Sequence, residues 1–256
     1  MYRRPRIVAA LTMQHMDLVK TTGFRAPRYI GDPVNSVRIF NNKDVDEMCM
    51  IDITATKEGR EPDIEFLHGI ASEAFMPLGY GGGIRTVEQA KNIFRIGYEK
   101  VILNSLLFDN PEEVKRIVEF AGSQSVVASI DYKRELFGKT NVVIHSGLDR
   151  IKTKVTEAIR YAEGLGVGEV LLTSVDHEGK MEGYDIKMME SLKDKAAVPL
   201  ILNGGAGTIG DIKAALEAGA DAVAVSSFFL YYGENKAVLI HTPEEEDYYR
   251  TGIYEE

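Results

Sequence analysis

Two stretches decide the fold when laid side by side: Pro77-Leu78-Gly79-Tyr80-Gly81-Gly82-Gly83-Ile84-Arg85-Thr86 and Pro199-Leu200-Ile201-Leu202-Asn203-Gly204-Gly205-Ala206-Gly207-Thr208. Each is a short strand-like run that ends in glycines and then reaches a threonine suited to capping a helix. Pro77-Leu78 matches Pro199-Leu200, Gly82-Gly83 matches Gly204-Gly205 and Thr86 matches Thr208, always 122 residues apart. Farther out, Glu47 with Glu169, Gly97 with Gly219 and Ser105 with Ser227 keep the same offset. A spacing held constant over half of the chain marks an internal duplication.

Around this repeat, β-branched runs ending in polar residues alternate with longer amphipathic stretches, the pattern of βα units around a parallel sheet. Strands are expected at Arg6 to Thr12, Glu47 to Ile53, Pro77 to Gly81, Lys100 to Asn104, Ser125 to Asp131, Glu169 to Ser174, Pro199 to Asn203 and Ala222 to Ser226. Two sets of four such units close into one (β/α)8 TIM barrel, an α/β fold of two half-barrel repeats. The alternative is a doubly wound open sheet of two similar halves; eight evenly spaced strands favour closure. The stretch Thr86 to Phe94 places apolar residues at helical spacing behind Thr86, Glu88 and Gln89, and Asn110-Pro111-Glu112-Glu113 and Thr208-Ile209-Gly210-Asp211 open helices in the same way. The segment Tyr132 to His145 has room for a small excursion, and an acidic, aromatic tail follows from Glu244.

A chain of 256 residues suits a single barrel domain over 1–256, since such barrels commonly take about 250 residues. With 45% apolar and 27% charged residues the composition is globular. Thirty-nine acidic against 30 basic side chains give a net charge of -9, which disfavours nucleic acid and anionic membrane as partners. Cys49 is the single cysteine, so an intrachain disulfide and a thiol zinc cluster are excluded, and a reducing cytoplasm fits. The basic start before Ile7-Val8-Ala9-Ala10-Leu11 is followed by too short an apolar run for a signal or a span. His15, His68, His145, His177 and His241 show no ligand spacing, so neither a metal nor another cofactor is expected.

In a barrel of this kind the chemistry lies on the loops after the strands. Gly82 and Gly83, with Asn104 and Ser105, form one candidate phosphate cradle, and Gly204 and Gly205, with Ser226 and Ser227, form its copy. Glycines directly before a helix let backbone N–H groups approach an anion. Two cradles at one barrel mouth suit a phosphorylated small molecule, whereas tight strand-to-helix turns are the bland reading of the same glycines. Asp131 ends the fifth strand and is the candidate general acid or base, with helix capping as the alternative. Asp52 and Asp176 sit at comparable ends and serve either a ligand or the neighbouring backbone. The first strand ends without a carboxylate, at Thr12, and His15 and Asp17 lie farther along the loop. At the opposite end Arg6, Glu47, Lys100 and Glu169 start their strands and point to a ring of two cations and two carboxylates, which spacing alone reads as a stabilising floor.

These residues resemble the cyclase subunit family of imidazole glycerol phosphate synthase over residues 6 to about 230. Gly31-Asp32-Pro33, Asp46-Glu47, Ile51-Asp52-Ile53-Thr54-Ala55, Gly81-Gly82-Gly83-Ile84, Gly122-Ser123-Gln124, Leu171 to Asp176, Gly183-Tyr184-Asp185 and Gly204-Gly205-Ala206-Gly207 carry the likeness. The resemblance implies a glutaminase subunit at the barrel bottom and ammonia passing through the barrel to a bisphosphorylated substrate at the top. It implies that Arg6, Glu47, Lys100 and Glu169 are an ammonia gate and that Asp131 is the second acid/base. It matches Lys20 to the family's mobile first-loop lysine, and Lys20, Asp52, Ser146, Thr173 and Asp176 are the candidate ligand contacts. Thr12 stands where the family has its first catalytic aspartate, and loss of one acid/base partner typically forfeits ~10²- to 10⁴-fold in rate.

The chain more closely resembles a paralogous branch, cyclase-like proteins associated with amidation of surface sugars. Ala26 to Pro33, Lys57 to Asp63 and Lys236-Ala237-Val238-Leu239-Ile240 fit that branch. It implies an ammonia-delivering subunit that works with a glutaminase and a separate sugar amidotransferase on an O-antigen or related sugar. A second hypothesis is a true cyclase, a lyase of histidine biosynthesis, with His15 or Asp17 standing in for the missing carboxylate. A third, a phosphosugar isomerase, needs no ammonia and has the gate ring against it.

Overall fold

The computed structural model describes residues 4–43, 45–135 and 139–255. In chain order come β1 (Arg6–Gln14), β2 (Asp17–Thr22), β3 (Arg25–Gly31), α1 (Pro33–Asn41), β4 (Glu47–Asp52), α2 (Ile64–Ala71), β5 (Leu78–Gly81) and α3 (Val87–Arg95). Then follow β6 (Lys100–Leu103), α4 (Leu106–Asp109), α5 (Pro111–Ala121), β7 (Val126–Arg134), β8 (Thr140–Ile144), β9 (Asp149–Ile151) and α6 (Val155–Gly164). The chain finishes with β10 (Glu169–Ser174), α7 (Ile186–Leu192), β11 (Leu200–Asn203), α8 (Ile209–Glu217), β12 (Ala222–Val225), α9 (Ser227–Leu230), β13 (Tyr231–Tyr232), β14 (Ala237–Val238) and α10 (Glu245–Arg250).

Eight strands close into a parallel barrel in the order β1-β4-β5-β6-β7-β10-β11-β12, and β12 pairs with β1. All eight expected strands are present. Pro77 and Pro199 fall just outside theirs, since neither has an N–H to donate, yet their carbonyls accept from Met48 N at 2.9 Å and Val170 N at 3.0 Å. The helices begin where capping chemistry allows. Thr86 and Thr208 each close a reciprocal box, with Gln89 and Asp211 respectively, and Asn110 accepts from Glu113 N.

Side chains alternate across each strand, so one set packs under the helices and the other fills the lumen. The outer set is the main core, including Leu11, Met48, Val101, Leu172 and Val223, all fully buried. The inner set stacks in layers drawn from alternate strands. Glu47, Lys100, Glu169 and Ala222 start four alternate strands at the floor; Val8, Val127 and Ile201 come next, then Cys49, Ile102, Leu171 and Ala224. Gly79 contributes no side chain to its layer, and a Cβ there would lie 3.4 Å from Ile102 Cδ1, so Ile102 occupies that space. Burial pushes the Cys49 thiol up to about 12, so this layer is uncharged at neutral pH.

Two excursions lie above the barrel. The hairpin β2–β3 continues from β1, an element the sequence reading did not anticipate. The expected excursion after Tyr132 is a second hairpin: β7 runs on to Arg134 and returns antiparallel as β8, with residues 136–138 between them outside the described set. The acidic, aromatic tail includes α10, whose Tyr248 packs with Tyr254 at 4.9 Å between ring centroids; Tyr254 also lies against Arg4. Among the described residues no helix is long and apolar enough to cross a membrane.

Leu172→Ala is expected to cost about 2–5 kcal/mol in urea unfolding, because a fully buried side chain leaves a cavity. Phe75→Ser, at a side chain 88% exposed, is expected to stay within about 0.5 kcal/mol of the parent.

Candidate functional site

The floor ring is a closed circuit. Arg6 Nη1 donates to Glu47 Oε2 at 2.7 Å and Arg6 Nη2 to Glu169 Oε1 at 2.5 Å. Lys100 Nζ donates to both Glu47 oxygens at 2.9 and 2.8 Å and to Glu169 Oε2 at 2.8 Å. Burial pulls the Arg6 pKa down, but Glu169 and Glu47 outweigh it and the guanidinium is held above its ordinary value. Arg6 enters from β1 beside its register partner Ala222, whose methyl group leaves the floor layer open on that side. Asp46 fixes this entry: its Oδ2 accepts from Ile7 N at 2.9 Å and from the Tyr254 hydroxyl at 3.4 Å.

At the other end a cavity of about 480 Å³ opens between the loops. Its lining includes Thr12, Lys20, Asp52, Gly82, Gly83, Asn104, Ser105, Asp131, Ser146, Thr173 and Ser226, so most candidate site residues converge there. Thr12 and Asp131 are equivalent rungs of the two halves, for Thr12 pairs with Ile51 as Asp131 pairs with Thr173. Burial raises the Asp131 carboxyl to about 7, against the opposing pull of Thr173 and Ser129 and with added repulsion from Glu178. Ser129 Oγ donates to Asp131 at 3.2 Å and Asn104 Nδ2 at 3.3 Å. This places Asp131 where proton exchange near neutral pH is efficient. Thr12 Oγ1 donates to Val19 O at 2.5 Å, so its proton is committed to the hairpin.

The second glycine cradle sits apart from the first. Gly204, Gly205, Ser226 and Ser227 line a narrow recess that joins the cavity through Lys20, Glu178, Asn203 and Ser226. The Ser226 and Ser227 hydroxyls are buried there without a hydrogen-bond partner. Unpaired buried hydroxyls are costly, and beside glycine backbone they suit an anion that accepts from them. In the first cradle Gly82 holds φ at +123°, and a Cβ there would stand 2.6 Å from Asp52 O, so only glycine fits.

Several candidates are placed otherwise than their strand-end positions suggested. Asp52 lines the cavity, but its carboxylate accepts from Thr54 N and Ala55 N and pairs with Arg60 at 3.0 Å, which organises the loop. Asp176 is not among the lining residues; its Oδ2 accepts from Arg134 N at 2.6 Å and pins the β7–β8 hairpin. His15 and Asp17 are exposed and absent from the lining, with His15 3.1 Å from Glu58, so neither replaces the missing first carboxylate. Ser146 spans the rim by donating to Ile53 O at 2.8 Å.

Sequence reasoning missed Glu178. It is 4% exposed, forms an ion pair with buried Lys20 and accepts from Thr21 Oγ1 and Phe24 N. The only hint in the sequence is its place before Gly179, two residues past Asp176, on a loop that follows a strand.

Comparison with known proteins agrees with this architecture. The family profile described as Histidine biosynthesis protein matches residues 6–236. A Leptospira interrogans protein provisionally named as an imidazole glycerol phosphate synthase subunit HisF is 43% identical over 246 residues, covering 95% of this chain and 97% of its own. A Pseudomonas aeruginosa protein provisionally named as subunit hisF2 of the same synthase is 40% identical over 242 residues, covering 94% and 96%. The imidazole glycerol phosphate synthase subunit HisF of Exiguobacterium sibiricum is 37% identical over 224 residues, covering 88% and 90%.

The raised Asp131 pKa has a consequence for stability. The folded state holds this proton more tightly than the unfolded chain, so the contribution is complete below about pH 4 and is lost as pH rises through about 7. Asp131→Asn is therefore expected to gain on the parent protein across that window, by roughly 4 kcal/mol at most. Urea unfolding at half-unit pH steps measures the difference; a constant gap from pH 4 to pH 8 would refute the assignment.

Proposed function

The chain belongs to the histidine biosynthesis protein family, among the HisF-like subunits of imidazole glycerol phosphate synthase, and from that membership we propose that it is the barrel subunit of a glutamine-dependent amidotransferase. It receives ammonia from a glutaminase docked at the barrel floor. It delivers that ammonia to the upper cavity, for amidination of a surface-polysaccharide sugar together with a separate sugar amidotransferase. The observation that carries the reading is the floor ring combined with Thr12. The conduit machinery is complete, while the acid/base pair that ring closure needs has lost one member.

The residues lend themselves to this task. Two carboxylates each shared by two cations form a latch, and parting one arm exposes two apolar layers, Val8 and Val127 followed by Cys49, Ile102 and Leu171. Neutral ammonia crosses such a layer far more readily than ammonium, because a charge there has no compensating partner. Ile39, Phe75 and Phe120 are exposed on segments that lead into the strand starts, so the floor end presents apolar surface around the ring. Exposed aromatic side chains of this kind suit a protein partner. At the top, the two cradles support binding of a phosphorylated small molecule.

A second reading is supported by Asp131 itself, whose pKa near 7 suits an acid/base of the true cyclase. Incubation with the bisphosphorylated ribulosyl intermediate and an ammonium salt separates the two. Slow or absent imidazole glycerol phosphate formation is expected, and turnover at rates typical of enzymes would overturn the amidotransferase reading.

Mixing the chain with its cognate glutaminase is expected to yield a stable complex and faster glutamine hydrolysis. No association and no stimulation would defeat the conduit. Lys100→Met breaks both carboxylate contacts of one cation, and in the assembled system glutamine-dependent product should fall about tenfold or more relative to ammonium-dependent product. Equal loss with either nitrogen source would show that the ring is structural only.

A further inference from the structure

Glu178 grips the β2–β3 hairpin from the loop after β10. Its Oε1 accepts from Lys20 Nζ, both oxygens accept from Thr21 Oγ1 at 3.2 and 3.1 Å, and Oε2 accepts from Phe24 N at 3.2 Å. Its backbone carbonyl accepts from Gly23 N at 3.0 Å. The contact is close enough that a Cβ on Gly179 would collide with the Thr21 carbonyl. Lys20 and Glu178 are 5% and 4% exposed, and both line the main cavity and the narrow recess.

Among the described residues these two are the only charged side chains lining that recess. Its other polar groups are Asn203, the glycine backbone and the two unpartnered serine hydroxyls. The two serine hydroxyls are free to donate to an anion, Asn203 Nδ2 is engaged with Thr173 Oγ1 at 3.2 Å, and the one carboxylate already holds the one cation. An arriving phosphate therefore meets a neutralised lysine and a fixed negative charge, and in so small a space both cannot share Lys20 without strong like-charge repulsion.

Taking the Gly204–Ser227 recess as a phosphate site, as argued above, we propose that Glu178 is a positioning residue that competes with an incoming phosphate group for Lys20. Lys20 rests on Glu178, keeping the hairpin clasped, and passes to the phosphate when the recess fills. Glu178 thereby sets the affinity of the recess and reserves it for ligands bound strongly enough to take the lysine away.

The test is titration of the isolated chain with inorganic phosphate, read by the amide NMR shifts of Gly204, Gly205 and Ser227, with Gly82 and Gly83 as reporters of the other cradle. Glu178→Gln is expected to tighten binding at the first set by about tenfold, because the repulsion goes and Lys20 is freed. Gly82 and Gly83 should be unchanged. A merely structural Glu178 would weaken binding or leave it alone when altered, so unchanged or weaker binding overturns the proposal. Lys20→Met combined with Glu178→Gln should lose the gain and bind more weakly than the parent. Should Glu178→Gln fail to fold, Glu178→Asp, whose shorter side chain loosens its hold on Lys20, is expected to tighten binding by a smaller factor, and unchanged or weaker binding would again overturn the proposal. If phosphate shifts neither set of amides in any variant, the cradle reading itself fails, and the inference with it; phosphate shifts at Gly204 and Ser227 that ignore Glu178 defeat the inference alone.

Discussion

Two carboxylates at the start of equivalent strands, Glu47 buried and Glu169 mostly so, require two cations, and the internal symmetry of the barrel supplies only one. Lys100 is the cation of the first half; its mate in the second is Ala222. The deficit is met by Arg6, which leans in from β1 over the short side chain of its register partner Ala222. Removing one partner of such a buried set strands a charge, at a cost of about 3–5 kcal/mol. The floor is thus held by one lysine packed in its layer, with its side chain 15% exposed, and one arginine that is 34% exposed.

The same departure from symmetry appears at the opposite end. Thr12 and Asp131 are equivalent rungs, yet one is a hydroxyl tied to Val19 and the other a buried carboxyl with a pKa near 7. The two ends of the barrel have diverged. The floor holds two carboxylates and two cations, while the mouth holds the Asp131 carboxyl opposite a threonine and a hairpin clasped by Glu178. Both cradles survive, but only one faces the wide cavity; the other lies in the recess that Lys20 and Glu178 share.

Much of the barrel was legible because two periodicities coincide. Alternation along each strand marks which residues face the lumen, and the 122-residue offset marks which strands correspond. Asp131, the ring and the first cradle follow from position at a strand end. The β2–β3 hairpin was not legible, since Lys20-Thr21-Thr22 reads as a polar loop. Its burial depends on Glu178, which lies 158 residues from Lys20. Asp176 was misplaced for the converse reason: a strand-end carboxylate faces either the cavity or a neighbouring hairpin, and Arg134 N, which decides between them, belongs to another unit.

By itself the sequence determined which side chains face inward, where each βα unit turns, and that charge collects at one end and glycine at the other. These are properties of neighbours along the chain, set by strand alternation, capping and glycine backbone. Only the tertiary structure decided that Arg6 enters the floor beside Ala222 and that a single carboxylate holds both Lys20 and the hairpin. Each of those depends on which strands meet when the barrel closes, and pairing energies between residues more than a hundred positions apart leave no local trace.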